Sequence, residues 1–251
     1  YEITYGDWSS DVCSSDLQFL VTTNIFVQNS NKKRFFAELI GTFVVVVLAT
    51  SSVVLNLKYS GIFGLWFVAV CPAVAVALMV YAFGKISMAH FNPAVTMGFL
   101  ISGHASRANL TVYLTAEIFG AFLASLFVKY TIGSQNNLGT NTPDYTYPIY
   151  MIFGIEVLAT MFLMGVILIV VHKGLSGLAG IAIGSIVGLD IFFLSFISGA
   201  SMNPIRSVAP AVLSDSVENL WLYLSAPFVG SGIVALVYRI KFTKRYSLIS
   251  D

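Results

Sequence analysis

Charge is what this sequence has least of. Asp, Glu, Lys and Arg make up 10% of its 251 residues, against 57% hydrophobic, and the mean hydropathy is +0.84. A soluble fold of this size has too little interior to bury so much apolar side chain. No acidic or basic residue falls in 39–57 or in 59–84, and uncharged runs of that length read as membrane spans. Cysteine is nearly absent too: Cys13 and Cys71 form neither a disulfide nor a metal pattern, and the redox compartment is not readable from them. A net charge of +1 with no basic cluster beyond the termini excludes nucleic-acid binding, and the composition excludes a soluble enzyme. The spans hold no His-rich cluster, Cys–His pair or Ser–Lys arrangement, so neither membrane enzymology nor a cofactor or metal is expected.

Residues 1–31 differ from the rest. They are polar, hold Glu2, Asp7, Asp11 and Asp16 with no basic residue, and show none of the basic, apolar and small-residue order of a signal peptide. The stretch Trp8–Leu17 (WSSDVCSSDL) resembles sequencing-adapter DNA translated as if coding. The expectation is a tail over 1–31 outside the fold, one membrane domain over 32–245, and a short C-terminal tail over 246–251.

Spans are predicted at about 35–55, 62–84, 110–131, 149–171, 177–197 and 220–240, each near the ~20 residues that cross a bilayer. Two short apolar pieces, about 93–101 and 204–213, remain, and each rises only about 14 Å as a helix, half of the hydrocarbon thickness. Lys32, Lys33, Arg34, Lys85, Arg107, Lys173, Arg239, Lys241, Lys244 and Arg245 fall on one side, against Lys58, Lys129 and Arg206 on the other. The positive-inside rule therefore puts both termini in the cytoplasm of a multi-pass cell-membrane protein.

The chain also repeats itself, about 33–131 against about 149–240. Glu38-x-x-x-Thr42 opens the first half and Glu156-x-x-x-Thr160 the second, and each half later carries an Asn-Pro, at Asn92-Pro93 and Asn203-Pro204. Three spans per repeat is an odd number, so the second copy must be inverted across the membrane, with the two breaks meeting near the midplane. Asn is a strong N-cap and Pro is favoured at the first helical position, so each break starts a half-helix. Two helix starts facing one another set a positive field at the membrane centre, which repels cations and protons while a neutral dipole passes. With its oxygen taken by backbone N–H groups, each Asn is expected to point its NH₂ into the lumen.

His90-Phe91-Asn92-Pro93-Ala94-Val95-Thr96 and Ser198-Gly199-Ala200-Ser201-Met202-Asn203-Pro204-Ile205-Arg206-Ser207 resemble the paired signature loops of the aquaporin, or major intrinsic protein, family, over about residues 33–245. The resemblance implies an all-α membrane fold of six spans and two re-entrant half-helices. It also implies a homotetramer with a pore in each subunit, in contact with the lipid bilayer, that conducts water and small uncharged solutes passively without a cofactor. Carried over by spacing, the selectivity filter is Arg206, Ala200, Ile191 and Pro72, with Arg206 lining water and held by backbone carbonyls. Pro, Ile and Ala lack the aromatic and His of strict water channels, so a wider filter is expected that admits glycerol, urea, ammonia or metalloid acids. Ser207 instead matches water channels, and Ile191 resembles archaeal members. A register shift of one residue would put Cys71 or Ala73 in place of Pro72.

Ile205 stands where the family has Ala, and its bulk is expected to spread the Asn donors or tilt a half-helix. Glu38, Glu156 and His90 are expected to brace the re-entrant loops. His104 and His172 fall at cytoplasmic ends, where a pH gate is one reading. Glu117 and Asp190 receive no role. Gly180, Gly184 and Gly188 form a small-xxx-small stripe for close helix packing. Asn109-Leu110-Thr111 matches a glycosylation sequon on the cytoplasmic side and is set aside. Two rival functions remain open: a secondary transporter, against which the midplane offers two Asn and no ionisable pair, and a non-conducting structural protein blocked at Ile205.

Overall fold

A computed structural model describes residues 31–243. The tail expected over 1–31 therefore lies, apart from Asn31, outside the described residues, as do Lys244, Arg245 and 246–251. The described chain is helical in the order α1 (Asn31–Lys58), α2 (Gly64–Ser87), α3 (Pro93–Ser102), α4 (Arg107–Thr131), α5 (Ile149–His172), α6 (Ala179–Ser198), α7 (Pro204–Leu213) and α8 (Ala226–Tyr238). Six apolar helices are long enough to cross a membrane, the last running over Leu220–Phe242. That last span is broken: a short turn of helix at Leu220–Tyr223 precedes α8, whose start carries Pro227. Proline has no N–H to give the preceding turn, so the helix restarts there. All six spans and both half-helices fall within a few residues of their expected places.

The two halves pack alike. In the first, α1 lies against α2 and α4; in the second, α5 lies against α6 and α8. The half-helices cross over, with α3 against α8 and α7 against α4, and α2 meets α6 across the axis. This is the inverted repeat in three dimensions.

The Glu-x-x-x-Thr repeat explains part of that packing. Gly120 of α4 sits against Leu39 and Thr42 of α1, where an added Cβ would fall 2.6 Å from the Leu39 carbonyl. Gly230 of α8 sits in the same way against Val157 and Thr160 of α5. Each repeated Thr thus packs on the one residue type that lets the last helix of its half come close. The stripe on α6 behaves as expected, with Gly180 and Gly184 against Ala77 and Ala73 of α2 and Gly188 against Ala73.

Candidate functional site

Both re-entrant loops follow the same backbone course into their half-helices. Counting back from each Asn, the backbone is left-handed at the fourth residue (Met88 φ 68°, Gly199 φ 85°), the third (Ala89 φ 54°, Ala200 φ 41°) and the first (Phe91 φ 51°, Met202 φ 56°). A non-glycine residue in that region costs of order 1–3 kcal/mol and persists only where neighbours over-determine it. The glutamates are those neighbours. Glu38 accepts from the N–H groups of His90 (3.0 Å) and Phe91 (2.7 Å), and Glu156 from those of Ser201 (3.2 Å) and Met202 (2.6 Å). Trans peptide geometry turns the carbonyls of Ala89, His90, Ala200 and Ser201 away from the carboxylates, and all four residues line the central cavity.

Further pairs repeat the scheme. The Ala89 and Ala200 N–H groups donate to Ser87 Oγ and Ser198 Oγ, both at 3.1 Å, while the Tyr113 and Tyr223 hydroxyls donate to the Ser87 (2.8 Å) and Ser198 (2.7 Å) carbonyls. Sequence reasoning missed these, although Tyr113…Gly120 and Tyr223…Gly230 share one spacing in the last span of each half.

Asn92 caps α3 through the Ala94 N–H (2.9 Å), and Asn203 caps α7 through the N–H groups of Ile205 (3.2 Å) and Arg206 (3.5 Å). Their NH₂ groups are not both left to the lumen as expected. Asn92 Nδ2 donates to the Met202 carbonyl at 2.8 Å and Asn203 Nδ2 to the Phe91 carbonyl at 2.9 Å, so each amide spends one hydrogen on the opposite loop and keeps one. Both side chains border the cavity; Pro93, Ala94, Pro204 and Ile205 are not among its lining residues.

The expected disturbance by Ile205 is not found. Its side chain turns into an apolar cluster with Val46, Ala121, Ala124 and Ala209, where α7 packs on α1 and α4, and the cross-loop amide bonds keep ordinary lengths.

Two cavities, termed inner and outer, adjoin and share part of their lining. The inner one runs past Asn92, Asn203, Leu163 and Val187; the outer one is bordered by Gly139, Thr140, Asn141 and Thr142. The residues common to both are Ala49, Pro72, Ile191, Ala200 and Arg206, so the four filter residues expected from spacing stand together at the junction. Pro72 borders both cavities, whereas Cys71 and Ala73 border neither. Ala49 is an additional lining residue there that spacing did not mark.

Arg206 is buried with its guanidinium Nη1 donating to the Gly139 carbonyl (3.0 Å) and to Asn141 Oδ1. Both acceptors come from the segment between α4 and α5, to which sequence reasoning gave no role. Asn136, Asn137, Leu138 and Gly139 are successive left-handed residues, and Leu138 is fully buried against Val54 and Val128. Asn and Gly are the types that visit this conformation, so Asn-Asn-x-Gly was the signal available.

His90, buried in the first loop, belongs to a chain of hydrogen bonds. Its Nδ1 pairs with Thr96 Oγ1 at 2.8 Å, and Thr96 donates to Glu117 Oε1 at 2.6 Å, tying α3 to α4 and giving Glu117 a structural place. Asp190 is buried on α6 and its Oδ2 has no hydrogen-bond partner among the described residues. At the opposite end of α3, His104 pairs with Ser102 Oγ (2.9 Å) and lies beside the Tyr238 ring at a tilt of 51°, and the Tyr238 hydroxyl meets His172 Nδ1 at 3.1 Å. Burial, reinforced by His172, pushes His104 down to about 4.

The Major intrinsic protein family profile matches residues 26–238. Aquaporin NIP1-1 of Zea mays is 35% identical over 216 residues, covering 85% of this chain and 76% of the relative. Nodulin-26 of Glycine max is 32% identical over 247 residues, covering 94% and 90%. Among solved structures, the aquaglyceroporin from Plasmodium falciparum superposes with a TM-score of 0.73 at 25% identity, over 87% of this chain and 100% of the other.

Proposed function

The chain belongs to the major intrinsic protein family and is a passive membrane channel for water and small neutral solutes, and from that premise we propose the route and the residues that select along it. Solutes run from the inner cavity past Asn92 and Asn203 to a filter made of Pro72, Ile191, Ala200 and Arg206, then into the outer cavity beside Asn141. The observation that carries this reading is that the filter residues are shared by both cavities.

Selection follows from charge and shape. Two helix starts and the Arg206 guanidinium place positive charge along the path, which disfavours cations and protons, while carbonyls and the free amide hydrogens replace the hydration of a neutral solute. Pro72, Ile191, Ala200 and Ala49 give the filter an apolar wall without an aromatic ring. Glycerol therefore passes as well as water, with urea, ammonia and metalloid acids in the same size class. The assembly is a homotetramer with one pathway per subunit, and both termini face the cytoplasm, as the basic residues suggest.

Stopped-flow light scattering on proteoliposomes tests the reading. Fast shrinkage in an impermeant osmolyte and fast re-swelling in glycerol are expected. Shrinkage without re-swelling would mean a filter closed to glycerol, and neither exceeding empty liposomes would overturn conduction.

A further inference from the structure

We propose that Asn141 is the positioning residue that sets selectivity at the filter, by holding the Arg206 guanidinium in place without neutralising it. The inference rests on the pathway proposed above and names the residue that tunes it.

Asn141 uses both ends of its carboxamide around the filter. Oδ1 accepts from Arg206 Nη1 and from Ser207 Oγ (2.9 Å), and Nδ2 donates to the Gly199 carbonyl (2.8 Å). One side chain thereby joins the first turn of α7 to the loop residue just before Ala200. It comes from outside both, on a segment anchored by the buried Leu138. Asn141 is itself 8% exposed and borders the outer cavity but not the inner one, so it stands directly behind the filter on that side.

The first half shows what a different choice looks like. Thr96 occupies there the place of Ser207, four residues after its Asn, and its partner is the carboxylate of Glu117 rather than a carboxamide. No arginine stands at the matching place in the first half, where Val95 holds the position of Arg206. At this position a carboxylate would still accept from Arg206 and Ser207, would lose the donor to the Gly199 carbonyl, and would offset the positive charge that excludes cations. Both acceptors of Nη1, the Gly139 carbonyl and Asn141 Oδ1, are neutral. Two neutral acceptors on one nitrogen hold the guanidinium and add no negative charge beside it.

The test uses full-length protein in liposomes as parent, Asn141→Asp and Asn141→Ala, with folded tetramer or monomer recovered by size exclusion first. Water is read by osmotic shrinkage, glycerol by re-swelling, and protons by an encapsulated pH dye under a valinomycin-clamped potassium gradient. Asn141→Asp is expected to keep fast water flow and raise the proton leak about tenfold over the parent. Asn141→Ala frees one of two anchors of Nη1, and the glycerol-to-water ratio is expected to shift about threefold or more. Asn141→Ser takes its place should Ala not fold. A parent-like value in either measurement overturns the assignment while the parent still conducts. A parent no faster than empty liposomes instead overturns the conduction reading on which it rests. A merely structural role predicts loss of yield with unchanged leak and ratio.

Discussion

The Asn92 and Asn203 side chains are cross-bonded through each other's loops: Asn92 Nδ2 holds the carbonyl next to Asn203, and Asn203 Nδ2 holds the carbonyl next to Asn92, at 2.8 and 2.9 Å. Each amide caps its own half-helix and clamps the opposite one, so the two halves of the repeat are locked where they meet. The orientation of the remaining amide hydrogens follows from this lock, because an amide fixed at its oxygen and at one hydrogen has no rotation left.

Asn92→Ala removes the cap on Ala94 and the clamp on Met202 together. A lost cap costs about 1 kcal/mol and a buried carbonyl left unpaired about 1–3 kcal/mol. The expected outcome is a lower thermal midpoint in detergent and at least a several-fold loss of water permeability per folded protein. Unchanged shrinkage rates would mean that the amide is not on the path.

Glu156→Gln tests the anchors behind the loops. The carboxylate accepts the Ser201 N–H, the Met202 N–H and the Ser198 hydroxyl; a carboxamide has a single acceptor oxygen and turns NH₂ donors toward donors. The left-handed residues Ala200 and Met202 then lose what holds them. Water permeability is expected to fall about tenfold or more, with a similar effect for Glu38→Gln because the first half is built alike. A drop confined to one glutamate would show that the repeat is functionally lopsided.

Much of this was legible in sequence because it is local or periodic. Uncharged runs mark spans, Asn-Pro marks a capped helix start, and the family's offsets point from Asn203 to Arg206, Ala200 and Ile191 and from Asn92 to Pro72. What was not legible depends on segments brought together only by folding. Asn141 lies in a connection with no periodicity, 65 residues before the arginine it holds. Glu117 reaches His90 only through Thr96, across two helices. The direction of Ile205 is set by which face of α7 packs on α1 and α4, which spacing alone does not tell.

His104 gives a pH dependence of stability. Its folded value, about 4, lies below the ordinary histidine range, so the unfolded chain binds the proton more readily and stability rises with pH between the two values. Acidification from about 6.5 toward 4 should therefore reduce stability by at most about 3 kcal/mol from this residue and lower the thermal midpoint accordingly. His104→Asn should remove that slope, read as the difference between parent and variant melting curves across the window. Identical slopes would mean that His104 is solvated in both states.

Ile205→Ala separates packing from conduction. Ile205 is 5% exposed in a cluster with Val46, Ala121, Ala124 and Ala209, and truncating a buried isoleucine to alanine costs about 2–5 kcal/mol. Because the side chain faces α1 and α4 and not either cavity, shrinkage rates normalised to folded protein should match the parent while the thermal midpoint falls. A blocked-pore reading predicts the opposite pair of results, with alanine opening a path that isoleucine had closed and permeability rising from the level of empty liposomes. The two readings differ in the sign of the permeability change, so one measurement on folded protein decides between a channel stiffened at its midplane and a pore plugged there.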